Sequence, residues 1–212
     1  MKRSRILSIG PLPEDVVEKL LPFAAVEQLD DSDRQAVVEA ADESVLLIIA
    51  RGSVMVDSEI LDRTPRLKAV ARTGVGYDSV RIEDATERRI PVLYTPGAMT
   101  RAVAEHTVAF ILAAYKQLDF WKGRLAAGDW GARYRCRSRD LQGSTVGIIG
   151  YGRIGRQVRL LLQPFEVEVL ADDPYIDHSK FVADQVTFVD LDEVLTGSDI
   201  VTLHVPLTGE TR

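Results

Sequence analysis

The sequence predicts an α/β protein made of two successive parallel-sheet units. Three observations predict it. Short apolar runs alternate with helical patterns along the chain, the order that parallel strands joined by crossover helices require. One apolar run, Val146–Ile149, closes on glycines spaced G-x-G-x-x-G, at Gly150, Gly152 and Gly155. The next, Val167–Ala171, ends in two acids, Asp172 and Asp173.

The first unit reads as follows. Arg5–Ile9 is a strand, and Pro13-Glu-Asp opens a short helix with acids in its first turn, where the macrodipole favours them. Ala25–Leu29 is a weaker strand. Asp33 is placed to cap a helix running to about Ala41. Val45–Ala50 is apolar throughout and is expected to be buried on both faces. Asp57 is expected to cap a helix ending before Pro65. Leu67–Ala71 is a fourth strand, Ser79–Arg88 a helix and Pro91–Tyr94 a fifth strand. This unit is complete as a small doubly wound domain, and the boundary is placed at residues 1–98 and 99–212.

Met99–Gln117 follows as a long helix without a breaker, expected to bridge the two units. Its apolar face is read as Val103, His106, Thr107, Phe110, Ile111 and Ala114. Phe120–Arg139 carries Trp121, Gly128, Trp130 and Gly131 among basic residues and reads as irregular and exposed. It is either a solvated loop or an arm that holds a second copy, because Trp and Arg are common interface anchors.

The second unit is strand, glycine turn, helix, strand, acid. Gly150 permits a tight turn. Gly152 lets backbone N–H groups approach a pyrophosphate with no Cβ in the way. Gly155 lets the helix pack closely on the strand, and the positive end of the helix faces the phosphates. Ile154, Val158, Leu161 and Leu162 form the buried helix face. An acid at the end of the second strand accepts hydrogen bonds from a ribose 2′-OH and disfavours a 2′-phosphate, so NAD is expected over NADP. Val186–Val189, Asp190–Thr196 and Asp199–Val205 are expected as strand, helix and strand. That makes four strands where a complete dinucleotide fold has six, so the chain is expected to be a C-terminally truncated form.

Composition narrows the function classes. A net charge of −6 argues against nucleic acid as a partner. No stretch reaches the apolar length of a membrane span, and the apolar run behind the basic N-terminus is too short for a signal segment. The single cysteine, Cys136, fits a reducing, cytoplasmic setting. With three histidines and no C-x-x-C, no metal site is expected.

Several stretches coincide, in order, with one family. These are Thr73-Gly-Val-Gly-Tyr-Asp78, Thr95-Pro-Gly97, Ala102-Val-Ala-Glu-His-Thr107, Leu141-Gln-Gly-Ser-Thr-Val-Gly147, Gly150–Gly155, Asp173-Pro-Tyr175 and Leu203-His-Val-Pro-Leu-Thr208. As a set they resemble the D-isomer-specific 2-hydroxyacid dehydrogenases, of the phosphoglycerate and glycerate dehydrogenase kind. The resemblance implies a flavodoxin-like substrate domain followed by a Rossmann NAD-binding domain, here incomplete. It implies that Asp173 rather than Asp172 is the ribose acid and that Arg153 and Ile154 lie against the pyrophosphate. Val205 would line the adenine side, with His204 and Pro206 beside it at the cofactor. Val75 and Gly76 would offer N–H groups to the carboxylate of a 2-hydroxy or 2-oxo acid. Met99 stands where the family commonly has Asn, and Arg89 and Glu166 where it commonly has Gly.

The family's catalytic Arg, acid and His all lie beyond Arg212, so no catalytic residue is assigned within the chain. His106 is read as a packed, hydrogen-bonded core residue, His178 as exposed, and His204 as a residue at the cofactor crevice. Arg51 and Ser53, after the third strand, could meet a substrate's charged tail, although a plain surface role for Arg51 fits equally. The expected function is NAD-dependent hydride transfer at C2 of a D-2-hydroxy acid, by a homodimer, with the chain alone inactive. The alternative is a non-catalytic NAD(H)-binding regulatory module like the family's corepressor branch. A relative of alanine dehydrogenase is disfavoured by the Thr73–Asp78 and Ala102–Thr107 stretches.

Overall fold

The computed structural model describes residues 4–135 and 138–212. Cys136, used above to read the redox setting, lies outside them. The chain divides into two compact units, Met1–Ala98 and Met99–Arg212.

In the first unit, β1 (Arg5–Ile9), α1 (Glu14–Leu20), β2 (Ala25–Leu29), α2 (Arg34–Ala40), β3 (Val45–Ala50), α3 (Ser58–Arg63), β4 (Ala69–Arg72), α4 (Ile82–Glu87) and β5 (Val92–Leu93) follow in order. All pairings are parallel, and the strands lie β2-β1-β3-β4-β5, the flavodoxin-like order. The apolar runs build the core, with Leu7, Ile9, Ile48, Ile60 and Val70 fully buried. Each such side chain contributes ~1.5–3 kcal/mol relative to exposure. Asp33 caps α2, its carboxylate accepting from Ala36 N at 3.0 Å. Asp57 does not cap α3. Its Oδ2 accepts from Arg34 Nη2 at 2.9 Å, and the N–H of Ser58 is met instead by Asp84 Oδ2 at 2.7 Å. An arginine across the helix layer outcompetes the local backbone for that carboxylate. β4 starts and ends later than read, α4 is shorter at both ends, and β5 keeps only its central pair.

In the second unit, α5 (Thr100–Lys116) and α6 (Leu118–Ala126) precede a 3-10 turn at Trp130–Tyr134. Then come β6 (Thr145–Ile149), α7 (Arg153–Leu162), β7 (Glu168–Asp172), a 3-10 stretch at His178–Asp184, β8 (Thr187–Phe188), α8 (Leu191–Gly197) and β9 (Ile200–Leu203). The parallel order β8-β7-β6-β9 is that of a Rossmann sheet read from its third strand to its fourth. No helix among the described residues is long and apolar enough to cross a membrane.

Two readings of this unit are corrected. Phe120–Arg139 is not wholly irregular, because its first part continues α6 and Trp130–Tyr134 forms a 3-10 turn. Gln117, at φ +53°, breaks the helix and restarts it at once. Local contacts then hold the segment: Trp121 Nε1 donates to Ser138 Oγ at 3.1 Å, and Arg124 and Arg135 both pair with Asp129. The buried face of α5 is also different. Ala104, Ile111 and Tyr115 are buried, with Val108 and Leu112 beside them, whereas His106, Phe110 and Ala114 are exposed. The helix has two apolar stripes, and the one that packs within this unit is the one that reaches α7.

Candidate functional site

The glycine turn sits at the C-terminal end of β6, where β7 departs on one side and β9 lies on the other. Open parallel sheets bind ligands at such a switch point. Gly150 adopts φ +90°, a region that L side chains rarely enter, and its N–H donates to Asp172 O at 2.8 Å. A Cβ there would meet His204 O at 2.7 Å and Val205 Cγ1 at 2.8 Å, so the exit of β9 closes on the turn. At Gly155 a Cβ would press into the carbonyl oxygen of Gly150 and come within 3.1 Å of Ile148 Cγ2. Those two glycines are required by the protein itself.

Gly152 is different. It precedes α7 at φ −76°, a value open to any residue, and a Cβ built on it meets nothing within 4 Å. Neither backbone nor packing demands glycine there. The space beside it borders the first turn of a ten-residue helix, whose leading N–H groups have no helical acceptors. Arg153 is exposed, and Ile154 is half-buried in the core of this unit.

Asp173 comes to the turn. Its Oδ2 accepts from Tyr151 N at 2.9 Å and its Oδ1 from Tyr175 N at 3.0 Å. Asp172 ends β7, and its pKa is raised by burial first and then by Asp173 and Asp190, with His178 opposing. Asp172 meets the glycine turn through its backbone carbonyl, and Asp173 through its carboxylate. His204 follows β9, with its N–H on Ile149 O at 2.7 Å and its Nε2 3.1 Å from Thr202 Oγ1. Burial pushes its pKa below the ordinary imidazole value. Val205 and Pro206 follow on the exposed rim.

The other histidines are elsewhere. His106 is exposed rather than packed in a core, its ring centroid 4.2 Å from that of Phe110. His178 is exposed, stacked on Phe188 at 4.2 Å, with Nε2 2.9 Å from Asp173 O. Among the described residues, no histidine is paired with a carboxylate, and no three His, Cys, Asp or Glu side chains gather to hold a metal ion.

The candidate substrate residues lie in the first unit, on loops after β3 and β4. Val75 and Gly76 belong to the loop after β4, which is tied down by Thr95, whose N–H and hydroxyl reach Gly74 O at 3.1 and 3.3 Å. Among the described residues, the N–H groups of Val75 and Gly76 donate to no protein acceptor. Arg51 is fixed by its backbone, its N–H on Ile9 O and its carbonyl accepting from Arg72 Nη1 at 2.9 Å. Ser53 is exposed, its hydroxyl 3.4 Å from Asp31 O.

Two residues inside the quoted motifs were given no role by the sequence. Tyr151, the first variable position of the glycine motif, is fully buried. Its hydroxyl donates to Asp184 Oδ2 at 2.9 Å, and burial, then Asp184, raises its pKa far above the usual phenol range. With Phe181 and Phe188 against its ring it braces the turn from behind. Gly147 lets α8 approach β6, since a Cβ there would meet Ser198 Oγ at 2.5 Å. Tyr151 sits at a position where the motif allows any residue, and Gly147 lies inside a strand pattern, so neither carries a local signal.

Known proteins match this arrangement. Residues 108–212 match the family described as D-isomer specific 2-hydroxyacid dehydrogenase, NAD binding domain. The chain is 34% identical over 209 residues to a D-3-phosphoglycerate dehydrogenase of Methanocaldococcus jannaschii, covering 98% of this chain but 40% of that protein. It is 30% identical over 216 residues to a hydroxypyruvate reductase of Thermotoga maritima, covering 100% of this chain and 68% of the relative. The crystal structure of the TT0316 protein from Thermus thermophilus superposes with a TM-score of 0.86 at 31% identity, over 98% of this chain and 66% of that one. A parallel sheet with an open glycine position, an acid on its turn and these relatives along its length place the chain in the D-isomer-specific 2-hydroxyacid dehydrogenase family, with its NAD-binding domain in residues 108–212.

Proposed function

We propose that the chain binds NAD(H) at the turn after β6 and holds the carboxylate of a 2-hydroxy or 2-oxo acid on the loop after β4, supplying the cofactor and carboxylate sites for hydride exchange at C2 of a D-2-hydroxy acid. The observation that carries the reading is Gly152, a glycine at the head of α7, within the G-x-G-x-x-G turn, that neither backbone conformation nor packing requires. Gly152, Arg153 and Ile154 would present N–H groups to the pyrophosphate, and Asp173 would exchange its bonds to Tyr151 N and Tyr175 N for ribose hydroxyls. Val205 and Pro206 would flank the adenine, with His204 beside them. The free N–H groups of Val75 and Gly76 suit a carboxylate, and Arg51 and Ser53 stand on the neighbouring loop for a charged substrate tail. When bound, the nicotinamide supplies the hydride acceptor or donor.

The proton is the unassigned part. Oxidation of a hydroxy acid needs a base at the hydroxyl and a cation at the carboxylate. Among the described residues none of the three histidines hydrogen-bonds to a carboxylate, so no residue of the chain is given that role. The exposed Trp130, Tyr134 and Leu125 suit an arm that packs on a second copy of the chain, giving a homodimer that works in the cytoplasm.

The test is to add NADH and a panel of 2-oxo acids, or NAD and D-2-hydroxy acids, to the 212-residue chain. NADH should bind, and turnover should be undetectable. Robust turnover would put the base on a residue passed over here, with His204 and His106 the first to replace.

A further inference from the structure

We propose that the second unit carries an anion-binding pocket on the flank of α7, for a small polyanion with two or more phosphate or carboxylate groups. A cavity of about 550 Å³, within the range of small-molecule sites, opens there. Arg153, Arg156 and Arg159 line it, and Asp184 is the single acidic residue of the lining. Thr100, the first residue of the 17-residue α5, also borders it, so the positive end of a long helix lies beside the same space.

The independent sign of a ligand is Arg159. It is only 8% exposed, its Nε has no partner, and its Nη2 makes one bond, to Gln185 Oε1 at 3.3 Å. A buried guanidinium carries five donors and is costly when left unmatched. Among the described residues, none of the three arginines makes an ion pair. Arg156 is turned along the cavity, its Nε on Gly152 O at 3.2 Å and its guanidinium carbon 5.2 Å from the Phe181 ring centroid. Asp184 accepts from the hydroxyl of Tyr151 and offsets one charge, so the lining still carries three guanidiniums against one carboxylate. A phosphate or carboxylate group accepts from arginine in the paired geometry that the guanidinium offers.

The pocket adjoins the dinucleotide turn, where Arg156 Nε donates to Gly152 O, and extends beyond it along α7. Arg153 stands near both, whereas Arg159 lies almost two helical turns further along α7. The inference therefore does not depend on the cofactor reading.

The experiment is calorimetric titration of the full chain at low salt with inorganic pyrophosphate and, separately, with citrate, each with NADH at saturation to fill the turn. One saturable site per chain is expected for at least one probe, and the two arms show whether phosphate or carboxylate is the preferred group. Arg159→Gln should weaken that binding by about tenfold or more, while NADH affinity stays within about twofold. Should Arg159→Gln fail to fold, Leu160→Glu decides. Leu160 lines the cavity and is 57% exposed, so the change places a repelling charge at the mouth without touching the core. Absence of saturable binding at millimolar probe, binding unchanged by either variant, or competition between the probe and NADH would each overturn the proposal.

Discussion

Gly10 and Gly150 each follow the first strand of a parallel sheet, and each has φ in the left-handed region, +107° and +90°. Each also donates its N–H to the last carbonyl of the second strand of its sheet, Leu29 O at 2.9 Å and Asp172 O at 2.8 Å. Beyond that shared device the two turns part. At Gly10 a Cβ would sit 3.1 Å from Arg51 Cβ and 3.3 Å from Asp31 Cβ, and Pro11 and Pro13 lead to a seven-residue helix. The space is filled by the chain's own side chains. At Gly150 the chain runs on to Gly152, whose missing Cβ leaves open space, and to a ten-residue helix. The same backbone turn closes a fold in one unit and leaves open space in the other. The proposed function depends on what the turn leaves empty.

The largest expected effect comes from filling that space. Gly152→Val should cost at least about 100-fold in NADH affinity, ~2.7 kcal/mol. It should shift stability by no more than about 1 kcal/mol, the scale of losing a good helix cap. Fluorescence titration and urea denaturation of the same variant give the two numbers. Retained affinity in a folded variant would move the cofactor away from this turn.

Gly155 sharpens the comparison from the other side, because it is the glycine the fold needs. Even Gly155→Ala drives a Cβ against Gly150 O and Ile148, and should cost ~1–3 kcal/mol of stability. Binding should fall only as folding does. A fully stable Gly155→Ala variant would show that α7 can move off β6 more easily than this packing implies.

The smallest effect is one of pH. Burial lowers the pKa of His204, so as pH falls the unfolded chain takes up that proton before the folded one. Stability from this group is complete above the ordinary imidazole pKa of about 6.5 and declines as pH drops below it. His204→Gln should flatten that part of the stability profile in thermal unfolding. An unaltered profile would mean His204 is solvated at the rim.

Most of the fold was legible, and the reasons are local. β1, β2 and β3 run where the apolar residues lie, and Asp33 caps α2 through its own loop. The two alternating patterns could only close as parallel sheets. What failed depended on partners far along the chain. Asp57 is claimed by Arg34 rather than by its own helix. α5 has two apolar stripes, and only α7 decides which is buried within its unit. Arg89 and Glu166, which the resemblance puts at positions commonly held by glycine, both take positive φ, +53° and +54°. The candidate site was legible at Gly150, Gly152 and Gly155 because their spacing is itself the signal, and the fold requires the first and the last. Tyr151 and Arg159 were not, since a buried phenol and a buried guanidinium look like surface residues until the 178–185 stretch packs over them.

The central claim is that the open turn holds a dinucleotide whose ribose hydroxyls meet Asp173. Calorimetric titration of the unmodified chain with NADH and NADPH tests it most directly. NADH should bind at least about tenfold more tightly, because the Asp173 carboxylate accepts from a 2′-OH and repels a 2′-phosphate. Asp173→Ser should narrow that gap. Equal affinity for the two cofactors, or no binding of NADH, would contradict the account.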